Sequence, residues 1–323
     1  MEAYRRTRYV LKAAWQQGRS NSTIMPFRSG KFGLLLALAG FALLSMGDAV
    51  VKSIAGAWPA PAIAALRYVI GASGLAALLW WHQGRAGFLM PDPKIQLLRG
   101  LSVAVATICF FSAIALMPLA EATAITFTSP MITALLAASI LKEPTGRGTI
   151  IASVIAFAGV LLILRPNFAV LGWATLLPLG SAVGMACLMI GNRAVAGKGS
   201  ALLMQFLIAV IAAPILATAA LAGHLSGVST LHIPPPDWTI IAKICAVAIS
   251  ASTAHWLIYL GTTKASAADI APMTYIQLLV AMVLGILVFG DWPDALSLFG
   301  SAIIIGAGLF LWRFNGSPKK ILK

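Results

Sequence analysis

Apolar residues in this chain form long runs rather than the short alternating pattern of strands. Runs of about 17–25 apolar residues are long enough to cross a bilayer core of about 30 Å as helices. Ten such runs occur, at residues 32–51, 60–81, 96–116, 122–141, 148–164, 171–190, 201–221, 239–260, 267–289 and 296–312. The pattern therefore predicts an all-α integral membrane protein with ten transmembrane helices.

Composition supports lipid as the surrounding medium. The chain is 60% hydrophobic and only 10% charged, and its mean hydropathy is +0.92. A soluble domain of this length cannot bury so much apolar surface. These values exclude the ordinary soluble classes of protein.

The two halves of the chain carry the same charged positions at a fixed offset of 148 residues. The matched polar pairs are Glu121 with Asp269, Glu143 with Asp291, Ser153 with Ser301, and Arg165 with Arg313. Each half holds five runs, and an odd number gives the halves opposite orientations in the membrane. We predict two inverted five-helix repeats, residues 32–165 and 171–313, the building plan of many secondary transporters. Glu143 and Asp291 are interpreted as structural corners of the repeat.

The positive net charge of +14 follows the predicted topology. With the amino terminus inside, 19 of the 23 Lys and Arg residues fall in the tails and inner loops, among them Arg85, Lys94 and Arg99. Such an imbalance predicts that both termini lie in the cytoplasm, and we expect the membrane to be the inner (plasma) membrane. The basic excess is thus a topology signal and predicts no nucleic-acid partner. The tails span residues 1–31 and 314–323; the first is either an amphipathic helix on anionic lipid or an extension ahead of a start at Met25.

Several strings, taken in order and spacing, resemble a known family. They are Pro118-Leu119-Ala120-Glu121-Ala122, Thr128-Ser129-Pro130, Leu141-Lys142-Glu143-Pro144 and Gly159 in the first half, and Phe289-Gly290-Asp291 and Gly306-Ala307-Gly308 in the second. They are similar to EamA-type, ten-helix bacterial members of the drug/metabolite transporter superfamily. The resemblance implies a basket of ten helices around a central cavity that carries small metabolites by alternating access. Leu278 stands where the first repeat has Pro130. Because of this difference, the role of a residue in one half is not assigned to its equivalent in the other.

Four charged residues are expected at similar depth in the first half: Asp48, Lys52, Arg67 and Glu121. Ionisable groups inside a span are costly and are therefore site candidates. In a structural interpretation, Asp48 pairs with Lys52 one turn away, and Arg67 pairs with Glu121 or backbone carbonyls. In a functional interpretation, Arg67 or Lys52 receives a substrate carboxylate while Asp48 senses a proton or a substrate amine.

Uncharged polar residues supply the remaining site candidates. In the fourth run these are Thr126, Ser129 and Pro130; the eighth and ninth runs add His255, Tyr259, Tyr275 and Gln277. Hydroxyls at this spacing are either helix-packing groups or part of a cavity wall. Pro130 frees a backbone carbonyl near mid-membrane, which is typical of a hinge. The aromatic residues beside Gln277 suit a flat or amino-acid-like solute.

These features favour a secondary transporter of a small polar metabolite, with a carboxylate-bearing solute such as an amino acid preferred, working by exchange or proton coupling. The alternative is an importer of a cofactor-, nucleotide- or vitamin-like metabolite. A channel, a non-transporting scaffold or an intramembrane enzyme are the rival classes. We expect no enzyme, metal or cofactor, because the acidic residues are scattered and Cys109, Cys187 and Cys245 are isolated. Gly33, Gly40 and Gly47 share one helix face and permit close approach, either within the chain or in a homodimer.

Overall fold

The described part of the chain is helical. The computed structural model describes residues 29–140, 147–195, 198–262 and 271–315. Helix is the expected outcome in lipid, because each helix satisfies its own backbone N–H and C=O groups. The α-helices within these ranges are α1 (Ser29–Ile54), α2 (Ala60–Gln83), α3 (Pro93–Leu116), α4 (Leu119–Thr126), α5 (Ser129–Ile140), α6 (Arg147–Leu171), α7 (Leu177–Ala194), α8 (Ala201–Leu225), α9 (Trp238–Thr262), α10 (Ile276–Leu284) and α11 (Ala295–Asn315).

The described helices match the predicted apolar runs. Six helices are long and apolar enough to cross a membrane: Phe32–Ile54, Ala60–Gln83, Pro93–Leu116, Gly172–Asn192, Ala201–Leu225 and Trp238–Ile258. Shorter apolar helices are Ile150–Ile163, Met273–Phe289 and Ala295–Phe310. These segments make the chain a multi-pass membrane protein, while the count of ten spans stays a prediction.

Two of the predicted runs are broken rather than continuous. In the fourth run, α4 ends at Thr126 and α5 begins at Ser129. Pro130 therefore lies in the first turn of a new helix, where its missing N–H costs little. In the ninth run, α10 follows a 3₁₀ turn (Ala271–Tyr275) and leads into a π-helical turn (Gly285–Phe289). The expectation of one unbroken helix across residues 122–141 was wrong, although Pro130 marked the position.

The breaks meet each other in space. At the offset of 148 residues, Phe127 in the first break corresponds to Tyr275 in the second. Their ring centroids are 5.9 Å apart and the rings stand at 77°, an edge-to-face contact. The contact brings the two breaks together, as the predicted inverted repeat requires of equivalent residues near its axis.

The helix pairing is also repeated. Helix α1 packs against α9 as α7 packs against α3, while α2 packs against α8 and α6 against α11. If the ten predicted runs are numbered along the chain, the packed pairs are 1 with 8, 3 with 6, 2 with 7, and 5 with 10. Adding five to each number, and counting from one again after ten, gives the same four pairs. The packing of the two halves is thus equivalent.

The glycine face of α1 packs within the chain. A Cβ on Gly40 would lie 2.7 Å from Ile258 Cγ1 and 2.8 Å from the carbonyl oxygen of Ala254, both on α9. One on Gly47 would lie 3.0 Å from Ser250 Oγ. These glycines let the two helix backbones approach closely. The glycine face is therefore used by α9, and it provides no argument for a homodimer.

Polar contacts between distant segments show which helix ends share a face. At one face, Trp58 Nε1 donates to the carbonyl oxygen of Pro234 (2.9 Å), and Ser297 Oγ donates to Glu121 Oε1 (2.8 Å). At the other face, Lys198 Nζ lies 2.5 Å from Asp92 Oδ2, and Gln83 Nε2 donates to Ser200 Oγ (3.0 Å). The predicted topology assigns the first set to the outer face and the second to the inner face. Those names are used below in that sense.

Some predicted features fall outside the described residues: the amino-terminal tail, the corner Lys142-Glu143-Pro144, Asp269 and the carboxyl-terminal tail. The side chains of Arg165, Tyr259 and Arg313 are likewise outside the description.

Candidate functional site

A shallow cleft opens between α1, α2 and α9; its empty space of about 190 Å³ includes open solvent, and its enclosed volume is about 10 Å³. That volume suits about one water molecule and is far below the roughly 300–1,000 Å³ of a typical ligand pocket, so a metabolite fits only when the cleft widens. Its lining residues are Leu44, Gly47, Asp48, Arg67, Val247, Ser250 and Ala251. We call this set the Arg67 cleft. It contains one side chain of each charge, contributed by adjacent helices.

Asp48 and Arg67 lie at matching depth. Asp48 is six residues before the end of α1, and Arg67 is seven after the start of α2. At about 1.5 Å per residue, both are about 10 Å from the outer helix ends. Among the residues the structure describes, neither side chain forms an ion pair or side-chain hydrogen bond. Two opposite charges thus face the same space, and no described residue joins either of them in an ion pair or side-chain hydrogen bond.

Aromatic rings hold the Arg67 guanidinium in place. Its Cζ lies 5.2 Å from the ring centroid of Tyr68 and 5.4 Å from that of Phe111. The Tyr68 hydroxyl in turn lies 3.1 Å from Thr107 Oγ1. Cation–π contact supplies part of the stabilisation that a buried guanidinium needs, but it leaves the N–H donors free for a planar acceptor. The predicted partner Glu121 instead accepts a hydrogen bond from Ser297.

His255 extends the polar surface along α9. It lies one turn beyond Ala251 of the cleft and interacts electrostatically with Arg67, as Asp48 also does. Its side chain is exposed rather than packed in the core. His255 is therefore near the Arg67 cleft without being one of its lining residues.

Lys52 is held away from the cleft, contrary to the predicted pairing with Asp48. Its Nζ lies 2.8 Å from Asp291 Oδ2, donates to the carbonyl oxygen of Met117 at 2.9 Å and sits 5.2 Å from the ring centroid of Phe289. The approach to Oδ2 is too bent for a hydrogen bond, but Coulomb attraction does not depend on that angle. The i, i+4 spacing of Asp48 and Lys52 on α1 suggested that they pair, but Lys52 pairs instead with Asp291 from the second half of the chain.

The polar residues at the first break mostly serve the backbone. Thr126 Oγ1 donates to the carbonyl oxygen of Ala122 (2.9 Å) and lies 3.4 Å from that of Pro178. Ser129 begins α5, and its carbonyl oxygen accepts the Thr133 hydroxyl at 2.8 Å. These contacts favour the helix-packing interpretation of the hydroxyls. Pro130 is exposed at the same turn.

Tyr275 and Gln277 occupy the second break. Besides its contact with Phe127, the Tyr275 hydroxyl packs directly over Gly308, where even a methyl group would overlap it. The backbone carbonyl of Gln277 accepts a hydrogen bond from Ser45 Oγ at 3.0 Å. The Gln277 amide has no hydrogen-bond partner among the described residues. These residues lie beside α1 but are not among those that line the Arg67 cleft.

A buried arginine lies at the inner face, inside the predicted run 96–116, although its charge was counted with the inner loop. Arg99 belongs to α3 and is 3% exposed. Its Nε donates to Asn192 Oδ1 (2.7 Å), and its Nη1 contacts Gln96 Oε1 and Met204 Sδ. We call these four residues the Arg99 cluster. It joins α3, α7 and α8 through neutral acceptors.

Sequence reasoning found Asp48 and Arg67 but missed their surroundings. Ser250, Tyr68 and Phe111 carry no signal beyond their place in apolar runs. Asp291 was noticed only as a repeat corner. The glycine before Asp48 was a usable signal, because Gly47 is what brings Ser250 of α9 up to α1.

Comparison with known proteins agrees with this architecture. Residues 31–165 match the EamA-like transporter family. The S-adenosylmethionine uptake transporter of Rickettsia felis is 23% identical over 291 residues, covering 90% of this chain and 95% of that protein. The riboflavin transporter of Rhizobium johnstonii is 25% identical, covering 91% and 95%. The pseudopaline exporter of Pseudomonas aeruginosa is 26% identical, covering 88% and 96%.

The fold is also found among solved structures. One crystal structure aligns with 87% of this chain and 97% of its own, at a TM-score of 0.58 and 20% identity. The apolar helices define a multi-pass membrane protein. Its residues 31–165 match the EamA-like transporter family, and relatives aligned with about nine-tenths of its length are named as transporters of small metabolites.

Proposed function

We propose that this transporter of small metabolites is a secondary carrier whose substrate binds in the Arg67 cleft. The favoured solute carries a carboxylate for Arg67 and an amine or other cation for Asp48, as an amino acid or a related metabolite does. Transport proceeds by alternating access, through exchange or proton coupling, across the inner membrane with both termini in the cytoplasm.

The observation that carries this proposal is the pair of opposite charges in one cleft, neither of which has an ion-pair or hydrogen-bond partner among the described residues. Charged groups inside a membrane bundle are costly unless they are paired or serve a solute. A zwitterionic solute satisfies both at once, and the free N–H donors of Arg67 match a planar carboxylate. Lys52 is assigned no direct contact with the solute, because Asp291 and Met117 already hold its ammonium.

The repeated helix pairing supports alternating access between two inverted five-helix halves. In inverted-repeat carriers the site lies at the repeat interface, and interrupted helices in corresponding positions mark it. Here the two breaks meet through Phe127 and Tyr275. We assign Thr126, Ser129 and Pro130 to the hinge of the first break. His255, Tyr259, Tyr275 and Gln277 are assigned to the path along which the cleft widens.

The second candidate is uptake of a cofactor-like or vitamin-like metabolite. It is favoured by two relatives that are named for S-adenosylmethionine uptake and for riboflavin transport. A third relative is named as an exporter. Transport assays must therefore decide whether the protein imports or exports its solute.

The test is stabilisation of the detergent-purified protein by solutes. The panel contains the protein amino acids, S-adenosylmethionine and riboflavin, assayed with the unaltered protein, Arg67→Ala and Arg85→Ala. Arg85 is an exposed arginine stacked at 5.8 Å on Trp80, so its variant controls for loss of positive charge. A solute at a hundred times its Kd stabilises the folded state by about 2.7 kcal/mol.

We expect one chemical class to raise the Tm of the unaltered protein and of Arg85→Ala, but not of Arg67→Ala. Saturable counterflow of that radiolabelled solute in proteoliposomes then separates a carrier from a channel or a scaffold. Equal stabilisation of Arg67→Ala would reject the Arg67 cleft as the substrate site.

A further inference from the structure

We propose that Asp291 is a positioning residue that holds Lys52 away from Asp48 and so keeps Asp48 available for the cationic group of the substrate. The proposal rests on the proposed function for the role of Asp48. Its geometric claim concerns Lys52 alone, which allows it to be tested without a substrate. Asp291 contributes nothing to the lining of the Arg67 cleft and acts only through Lys52.

The choice open to Lys52 is set by its position on α1. Asp48 and Lys52 are four residues apart on one helix, a spacing that brings an acid and a base together on the same face. The lysine stem is long and flexible, and its ammonium seeks an anion wherever the dielectric is low. In the described structure the ammonium turns instead toward Asp291, in the second half of the chain. Asp48 is left without an ion pair.

The turn that carries Asp291 is built to present it. The π-helical turn Gly285–Phe289 ends at Gly290, whose φ of +68° is a left-handed conformation that suits glycine. The backbone N–H of Asp291 then donates to the carbonyl oxygen of Gly285 at 2.9 Å. This closed turn fixes the direction of the carboxylate. The ion pair is only slightly exposed, with 13% of the Lys52 side chain and 25% of the Asp291 side chain accessible.

The other charges near Asp48 do not replace this arrangement. Arg67 on α2 faces Asp48 across the cleft, and His255 on α9 interacts with Arg67. Lys52 contacts Asp291, Met117 and Phe289 rather than either of these groups. Loss of the Asp291 charge therefore frees one cation, and the nearest carboxylate on its own helix face is Asp48. An ion pair there would occupy the acid that the substrate amine needs.

Labelling of the full-length purified protein with N,N′-dicyclohexylcarbodiimide tests the geometry directly. The reagent consumes the fraction of a carboxyl that takes up a proton in an apolar site, and an ion pair with lysine lowers that fraction because it stabilises the carboxylate. Mass spectrometry of the peptide that contains Asp48 measures the extent of labelling. The variants are Asp291→Asn, Asp291→Glu, Lys52→Met and the double variant Asp291→Asn with Lys52→Met. Asp294→Asn is the matched control, because Asp294 loses a charge at the same turn but bonds the backbone N–H of Ser297.

We expect Asp291→Asn to lower the labelling of Asp48 about tenfold, the change that a 1.4 kcal/mol ion pair produces. Asp291→Glu, Lys52→Met, the double variant and Asp294→Asn should label like the unaltered protein. A merely structural role for the ion pair predicts that Lys52→Met and Asp291→Asn change labelling alike. That outcome, or unchanged labelling in Asp291→Asn, overturns the inference.

Solute binding to Asp48→Asn then separates this inference from the proposed function. With the panel defined above, loss of stabilisation in Asp48→Asn together with full stabilisation in Asp291→Asn overturns the role of Asp291 alone. Full stabilisation in Asp48→Asn overturns the role of Asp48 in the proposed function, and the purpose assigned to Asp291 with it.

Discussion

The Arg67 cleft and the Arg99 cluster occupy equivalent places in the two halves of the molecule. The cleft lies among α1, α2 and α9; the cluster lies among α7, α8 and α3, the corresponding helices in the repeated packing. Arg67 is about 10 Å from the outer helix ends and Arg99 about 9 Å from the inner ones. The two arginines are not equivalent residues, because moving the runs five places converts α2 into α8 and not into α3, but they lie at similar depth at opposite faces.

We call the Arg67 cleft the outer junction and the Arg99 cluster the inner junction. They differ in whether a side chain accepts a hydrogen bond from the arginine. Gly47 is followed by Asp48 in the first, and Gly191 is followed by Asn192 in the second; both glycines pack on the partner helix. Asn192 bonds Arg99 directly and, with Gln96, closes the inner junction. Asp48 leaves its arginine unbonded and the outer junction retains a cleft. One closed junction and one with open space are what alternating access requires of a carrier at any one time.

The largest expected effect comes from Arg67→Ala. Removal of one partner of a buried charge pair typically costs about 2–5 kcal/mol, so kcat/KM for transport should fall by about 30-fold or more. The Tm should change little, because Arg67 has no ion pair in the described structure to lose. Counterflow in proteoliposomes measures the first quantity and thermal unfolding in detergent the second. Arg99→Met should lower the Tm and change kcat/KM for transport less, since unpairing the Gln96 and Asn192 amides costs about 1–3 kcal/mol each.

A smaller effect is expected when the two junctions are made alike. Asn192→Asp places a carboxylate against Arg99 Nε, 2.7 Å from the present acceptor oxygen. A charge-assisted bond is roughly twice as strong as a neutral one, so the closed inner junction should open less readily. We expect turnover to fall about tenfold, a 1.4 kcal/mol change, with solute affinity retained. Turnover equal to that of the unaltered protein would show that this junction does not open during transport.

The glycine contacts test whether the two halves are packed equivalently. Gly40→Ala in α1 and Gly184→Ala in α7 both force a methyl group to within 2.8 Å of a backbone carbonyl oxygen, those of Ala254 and Ser102 respectively. Overpacking of this kind costs about 1–3 kcal/mol. Both variants should lower the Tm to a similar extent. Gly74→Ala is the control, because a Cβ there meets nothing within 4 Å.

The smallest expected effect concerns Asp237 at the start of α9. The backbone N–H of Ile240 and the hydroxyl of Thr239 donate to its carboxylate and lower its pKa below the ordinary value. A lowered folded-state pKa contributes stability above about pH 4, which is lost as the pH falls through the folded pKa. Asp237→Ala should lower the Tm by about 2 °C at pH 7. The difference in Tm between Asp237→Ala and the unaltered protein should vanish in acid. A difference that persists in acid would show that the charge of Asp237 is not its cause.

The sequence predicted the helices and the two arginine-bearing segments but not the partners of their charges. Apolar run length located every described α-helix because lipid leaves the backbone no alternative, but it predicted single helices where the fourth and ninth runs are broken. Pro130 marked the position of the first break. The contact of Lys52 with Asp291 joins residues 239 positions apart, and local spacing favoured Asp48 instead. Arg99 was counted as a loop charge because nothing local distinguishes a buried arginine in the second turn of a helix from an exposed one.

The most direct measurement is an experimental structure of the protein with a stabilising solute bound. We predict that the solute lies between Asp48 and Arg67, with its anionic group on the guanidinium and its cationic group on the carboxylate. The Arg99 cluster should be closed in the same structure. A solute bound beside Tyr275 and Gln277, with Asp48 and Arg67 not in contact with it, would contradict the account.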